Sequence, residues 1–245
     1  MDIQDVGIDI VVLNCNNQSY IQTCLKSIID NTPAPYNLIV VDQNSQDGSK
    51  EYLTENKGIS HLILNKRNTG QAEGKNQGIR ASKYPWIAFI HSDVEINDKE
   101  WLDKIWNFTI DHHIGVIMGE GFVHISQSID SKLKMAFCLI RKKCLDEIGI
   151  FDNNFMIYDD MDWFLRLSWN HYWKMVYCPE LNVRHYSGKT IKEGIIKNKF
   201  NEFIEQDRKR LYKKYSKEAI KEFIDSSIFI DEETKNNLSK EVQYA

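Results

Sequence analysis

Asp93 and Glu95 stand two residues apart, just beyond the apolar run Trp86 to Ile90. Two carboxylates so placed suit a hard divalent cation such as Mg²⁺ or Mn²⁺, which takes oxygen ligands and bridges to substrate phosphates. The same pair equally suits a solvated turn or a helix N-cap. A second acidic group, Asp159, Asp160 and Asp162, opens a stretch of helical spacing, where acids are favoured by the helix macrodipole. Asp42 ends another apolar run and either faces a ligand or caps the next helix, a job for which Asp47 is better placed. Lys75 suits a solvated helix face, and His185, a lone histidine after a strand, suits a structural role.

The elements that must position these groups follow from periodicity. Ile8 to Leu13, Leu38 to Val41, His61 to Leu64 and Trp86 to Ile90 are short apolar runs of the kind that form buried parallel strands. Between them, Tyr20 to Ile29, Ser49 to Glu55 and Ala72 to Ser82 have helical spacing, so strand and helix alternate as in a doubly wound α/β sheet. In such a sheet ligands bind beyond the carboxyl ends of the strands. Those ends read Asn14-Cys15-Asn16-Asn17, Asp42-Gln43-Asn44-Ser45, Asn65-Lys66-Arg67-Asn68 and His91-Ser92-Asp93. No G-x-G-x-x-G follows the first strand and no G-x-x-x-x-G-K-[ST] occurs, which excludes a dinucleotide fingerprint and a P-loop. Beyond a helix at Trp101 to Thr109 the sheet becomes mixed, with apolar pieces at Val116 to Met118 and Ala136 to Ile140. A helix from about Asp160 to His171 and a strand at Lys174 to Cys178 follow, and the chain is helical from Ile195 onward.

Composition narrows the class. With 42% hydrophobic and 27% charged residues, the 245-residue chain has the balance of an ordinary soluble globular protein. A net charge of −4 argues against nucleic acid as a partner, so any bound nucleotide is expected to be a small molecule. Cys15, Cys24, Cys138, Cys144 and Cys178 form no C-x-x-C pair, which fits a reducing cytoplasm. Neither a leader nor a membrane-spanning run is expected. Residues 189–221 carry eleven Lys/Arg and five Asp/Glu, a net +6, whereas 222–245 carry two and six, a net −4. Ile195, Ile196, Phe200, Phe203, Ile204, Leu211 and Tyr215 form an apolar stripe beside Lys199, Arg208, Lys209, Lys213 and Lys214. The stripe either docks on the protein's own core or meets the acceptor, a partner or an anionic membrane surface.

Four segments, in order and spacing, resemble the family 2 glycosyltransferases, and within them the members related to rhamnosyltransferases of polysaccharide assembly. They are Val40-Val41-Asp42-Gln43-Asn44-Ser45 with Asp47-Gly48, and Asn68-Thr69-Gly70 through Lys75-Asn76-Gln77-Gly78. The others are His91-Ser92-Asp93, and Gly149-Ile150-Phe151-Asp152 leading to Tyr158-Asp159-Asp160-Met161-Asp162 and Arg166. The resemblance covers about Asp9 to Thr190. It implies a GT-A fold, a mixed and mostly parallel sheet flanked by helices, over residues 1–192, with a helical appendage at 193–245.

It also implies the chemistry: inverting transfer of a sugar from a UDP- or dTDP-sugar donor to a hydroxyl of a glycan or lipid-linked glycan, in cell-surface polysaccharide synthesis. The implied location is the cytoplasm, free or peripheral at the inner face of the membrane. Asn14, Asn16, Asp42, Asn44, Asn68, Gly70, Lys75, Asn76 and Ser92 form the implied donor site, with Asp42 accepting from a pyrimidine N3–H and Gly70 and Gly74 permitting tight turns. His91 replaces the first acid of the family's D-x-D motif. Asp93 then inherits a Mn²⁺ or Mg²⁺ with His185 as a second ligand, and His91 becomes a further ligand, a sugar contact or a strand-end residue. Asp160 is the implied general base, with Asp159 and Asp162 as alternatives or supports. The competing expectation is a non-catalytic nucleotide-sugar-binding subunit in which His91 marks decay of the metal site. A nucleotidyltransferase would need a Gly-rich basic loop after the first strand, and Asn14 to Tyr20 contains none.

Overall fold

Four apolar runs of the N-terminal half become β1 (Ile8–Asn14), β2 (Tyr36–Asp42), β3 (His61–Leu64) and β4 (Trp86–His91). Helices α1 (Gln18–Asn31), α2 (Ser49–Glu55) and α3 (Gly70–Ala81) connect them. The computed structural model describes residues 7–33, 35–119, 135–178, 180–186 and 200–224. After β4 come β5 (Val94–Ile96), α4 (Trp101–Thr109), β6 (Ile114–Gly119), β7 (Phe137–Arg141) and α5 (Lys142–Ile148). Helix α6 (Asp159–Ser168), β8 (Lys174–Cys178), β9 (Val183–His185), α7 (Phe200–Lys214) and α8 (Lys217–Ile224) complete the described chain.

The main sheet has seven strands in the order β3-β2-β1-β4-β7-β6-β8. β3, β2, β1 and β4 run parallel, β7 is antiparallel to both neighbours, and β8 is parallel to β6. The sheet is therefore mixed and mostly parallel, as expected. Asp9, the one polar residue inside the β1 run, is buried and accepts from the backbone N–H groups of Lys83 and Tyr84 and from Asn37, so it clips the turn before β4 to its neighbour strands. A buried carboxylate is tolerated when its oxygens are hydrogen-bonded in this way.

Register decides where the chemistry gathers. Asn14 lies beside Asp42, and Leu13 beside His91, so β1, β2 and β4 end at one level. A separate two-stranded sheet pairs β5 with β9 and sets Val94 opposite His185. Helix α6 is buried on every side, with Trp163, Phe164, Leu165 and Leu167 in the core. Leu211 of α7 and Tyr215 just after it join that same core cluster, as does Ile220 of α8, so Leu211 and Tyr215 of the apolar stripe dock on the protein itself. Ile195 and Ile196 lie outside the described residues.

Candidate active site

At the ends of β1 and β2, Asp42 has no exposed surface. Its Oδ1 accepts the Ser45 N–H at 2.9 Å, and its Oδ2 accepts Asn14 Nδ2 at 2.9 Å and Ser45 Oγ at 2.6 Å. Asp42 is turned into the protein here, where it fixes Asn14 and Ser45. What faces outward is the loop around it. Asn16 and Asn44 are half-buried, with φ of 50° and 62°, a left-handed conformation that asparagine tolerates better than most residues. Exposed Asn68 and half-buried Cys15 meet beside them, Asn68 Nδ2 lying 3.4 Å from Cys15 Sγ. Asp47 takes the N–H groups of Gln18 and Ser49 at the starts of α1 and α2, the capping job expected of it.

Gln43, quoted above only as part of a motif, is the clasp of the next segment. Its Nε2 donates to the Gly70 carbonyl, and its Oε1 accepts from Thr69 N–H, Thr69 Oγ1 and Asn65. Gly70 has φ +87° at the start of α3, a conformation that favours glycine. Gly74 does not make a turn, and that expectation is corrected: it lies inside α3, where an added Cβ would collide with the Leu13 side chain and the Gln43 amide. Its smallness lets α3 lie directly on the end of β1.

That close approach delivers Lys75 to the acidic helix. Lys75 is fully buried, and its Nζ donates to Asp159 Oδ2 at 2.8 Å and to Asp160 Oδ1. Burial alone would lower the lysine pKa, but the two carboxylates outweigh it and hold the ammonium above its ordinary range. Burial, with the like charge of Asp160, pushes the Asp159 carboxyl well above the usual carboxylate range despite Lys75. Asp160 Oδ2 accepts the Met135 N–H at 2.9 Å. Lys75 was expected at a solvated face or a phosphate; the structure instead seals its charge against the acid pair. Asn76, expected at the donor, is also buried, and it exchanges hydrogen bonds with the Phe151 backbone. Ser92 is buried under Asn17, whose Nδ2 donates to its hydroxyl.

Asp93 is buried beside β5, and pairing of β5 with β9 brings His185 Nε2 to 3.2 Å from Asp93 Oδ1. The His91 and His185 rings lie 5.8 Å apart, and one ligand atom from each of His91, Asp93 and His185 falls within 4.8 Å of the others. Burial disfavours charge on Asp93, yet both histidines more than compensate and its carboxyl stays below the usual range. Burial pushes His91 down to about 4, leaving a neutral imidazole at pH 7. Two imidazoles and a carboxylate fit a divalent transition metal such as Mn²⁺. Glu95, weighed above as the partner of Asp93, instead accepts the Tyr186 hydroxyl at 2.7 Å, so the third member of the cluster is His91. The backbone at 135–136 joins the two groups: Met135 N–H donates to Asp160, and the Ala136 carbonyl accepts the His91 N–H at 2.9 Å.

The family model of Glycosyl transferase family 2 matches residues 9–186. The chain belongs to that family. Glycosyltransferase GlyA of Streptococcus pneumoniae is 23% identical to it over 205 residues, covering 80% of this chain and 28% of GlyA. Solved structures give the fold. Staphylococcus aureus TarS 1-349 in complex with UDP superposes with a TM-score of 0.64 at 15% identity, over 97% of this chain and 70% of that one. Mannosyltransferase PcManGT from Pyrobaculum calidifontis, in complex with GDP-Man and Mn²⁺, superposes with a TM-score of 0.57 at 16% identity, over 71% and 55%. The family 2 chain thus has the GT-A fold, and it spans little more than a quarter of the length of GlyA. Among the described residues no helix is long and apolar enough to cross a membrane.

Proposed function

We propose that this family 2 chain is an inverting glycosyltransferase that moves a hexosyl or deoxyhexosyl group from a UDP- or dTDP-sugar to a hydroxyl of a glycan or lipid-linked glycan in cell-surface polysaccharide synthesis. One observation carries the reading: the backbone at 135–136 bonds to both Asp160 and His91, so the Lys75–Asp160 pair and the His91, Asp93 and His185 cluster lie in one neighbourhood. A divalent metal held by Asp93, His185 and His91 would offset the charge of the donor diphosphate. Asn16, Asn44 and Asn68 are the polar groups open to the nucleoside and sugar, on a floor set by Asn14 and Asp42. Asp160 takes the proton of the acceptor hydroxyl while that oxygen bonds to the anomeric carbon and the bond to the nucleoside diphosphate breaks on the opposite face. Lys75 holds that carboxylate in place from below. Lys209 and Lys213, two of the exposed basic side chains of α7, offer a face to an anionic membrane or acceptor.

Calorimetric titration with UDP, dTDP, ADP and GDP, in Mn²⁺ and in chelator, tests the reading. The pyrimidine diphosphates should bind tightest, and chelator or Asp93→Ala should remove the metal-dependent part of the affinity. Because Asp42 faces inward, Asp42→Ala should weaken all four ligands together without reordering them. Equal binding of all four, untouched by chelator, would show that the donor and metal assignments are wrong.

A further inference from the structure

We propose that Asp207, in the C-terminal helix α7, is a positioning residue for the acidic helix: it fixes the turn from which α6 starts, and through it the direction in which Asp160 faces. The proposal rests on the reading of Asp160 as the base. Asp207 has no exposed surface. Its Oδ2 accepts three consecutive backbone N–H groups, Met156 at 2.8 Å, Ile157 at 2.7 Å and Tyr158 at 3.2 Å, while Oδ1 accepts Arg210 Nη1 at 2.9 Å. Three successive donors converging on one oxygen require a bent backbone. Without the carboxylate, those donors would lose their partner in a largely buried turn.

The next residue along the chain is Asp159, the first of α6, and the one after it is Asp160. The N-cap residue Tyr158 supplies no side-chain capping bond, so the entry of α6 is set from outside the helix. Helix α7 and the residue after it hold the far side of the first turn too. Lys214 Nζ and Tyr215 Oη each donate to the buried Asp162 Oδ1 at 2.6 Å, and Lys214 also reaches Asp152 at 2.8 Å. Asp160 lies between the two anchors, Asp207 on 156–158 and Tyr215 with Lys214 on Asp162. A base works only when it is held against the proton it removes, and a misplacement of about 1 Å can cost on the order of 10²-fold in rate. The tail therefore belongs to the catalytic unit although none of its described side chains touches Lys75 or Asp160 by hydrogen bond.

The full-length chain, Asp207→Ala, Asp207→Asn and Tyr215→Phe would be compared in three measurements: amide hydrogen exchange over residues 155–165, UDP affinity in Mn²⁺, and hydrolysis of whichever member of a panel of UDP- and dTDP-sugars the wild type turns over fastest. Asp207→Ala should speed exchange at 156–158 and lower kcat by ~10- to 100-fold, with KM and UDP affinity within about twofold of wild type. Asp207→Asn keeps an acceptor oxygen and should restore part of both, and it carries the comparison if the alanine variant does not fold. Tyr215→Phe should loosen the first turn of α6 without freeing 156–158. Unchanged exchange, unchanged kcat, or a kcat that falls only in step with UDP affinity and melting temperature would overturn the positioning role. A wild type that neither binds UDP nor turns over any donor would instead sink the reading of the site, and the positioning claim with it.

Discussion

Lys75 sits between two aspartates without solvent to share its charge, and the balance of that triad decides what each member can do. Removing one partner from a buried ion pair leaves an uncompensated charge, a loss of ~3–5 kcal/mol, so Lys75→Ala should cost stability as well as activity. Asp160→Asn keeps the size and one acceptor oxygen; it should lower turnover by roughly 10²- to 10⁴-fold, the usual worth of a positioned base, while UDP affinity measured by calorimetry stays near wild type. Normal turnover in that variant beside a dead Asp159→Asn would move the base to Asp159. Asp159 has a separate signature in pH. Its folded-state pKa is raised by burial, so the folded chain keeps this proton where the unfolded chain has already released it. The stability it contributes is complete below the ordinary carboxylate range and fades as pH rises toward neutrality. Asp159→Asn cancels the titration, so its denaturation midpoint should gain on wild type between about pH 4 and pH 7; parallel curves would show that Asp159 is ionised throughout. The sequence could place Asp159 and Asp160 at a helix start, but a lysine with the spacing of Lys75 reads as a solvated side chain, because lysine is seldom fully buried unless paired. Only the fold reveals the pairing, across 84 and 85 residues.

At the level of elements, the site depends on how closely α3 approaches β1. Gly74→Ala would improve helix propensity by up to ~1 kcal/mol, yet the new methyl group meets Leu13 and Gln43, and overpacking of this kind costs about 1–3 kcal/mol. The expected outcome is a net loss of stability in urea denaturation and a displaced Gln43 clasp, read as weaker UDP binding; a stabilised variant with intact binding would mean that α3 has room to move. Strands β1 to β4 and helices α2 and α4 were legible because each has a run long enough to show a period. Strand β9 was not. Three residues carry no periodicity, and its partner β5 reads as a polar strand end because Asp93 and Glu95 flank Val94. The pairing of those two strands is what carries His185 to Asp93 and leaves Glu95 with Tyr186.

Across the whole molecule, residues 200–224 contribute to the core through Leu211, Tyr215 and Ile220. The sequence showed an apolar stripe beside lysines and arginines, which suits docking and membrane contact alike, and burial separates the two for Leu211 and Tyr215. Asp207 was hidden for a related reason: followed by Arg208, Lys209 and Arg210, it looks like one more charge on a solvated face. A chain ending at residue 199 would expose the surfaces that these three apolar side chains cover, each burial worth ~1.5–3 kcal/mol. It would also strip Lys214 and Tyr215 from the buried Asp162, leaving Arg166 as its remaining side-chain partner among the described residues, and take the acceptor from three backbone donors at 156–158. The summed loss is comparable to the whole stability of a typical domain, about 5–15 kcal/mol. The truncated chain should therefore be insoluble or melt without a cooperative transition in circular dichroism, whereas the triple variant Lys209→Gln, Lys213→Gln and Lys217→Gln, altered only at exposed positions of α7 and α8, should keep the wild-type melting temperature. A truncated chain that folds cooperatively and binds UDP as tightly as the full chain would show that the GT-A domain is complete without its tail, and the core contacts of α7 would then be a docked surface with no structural duty.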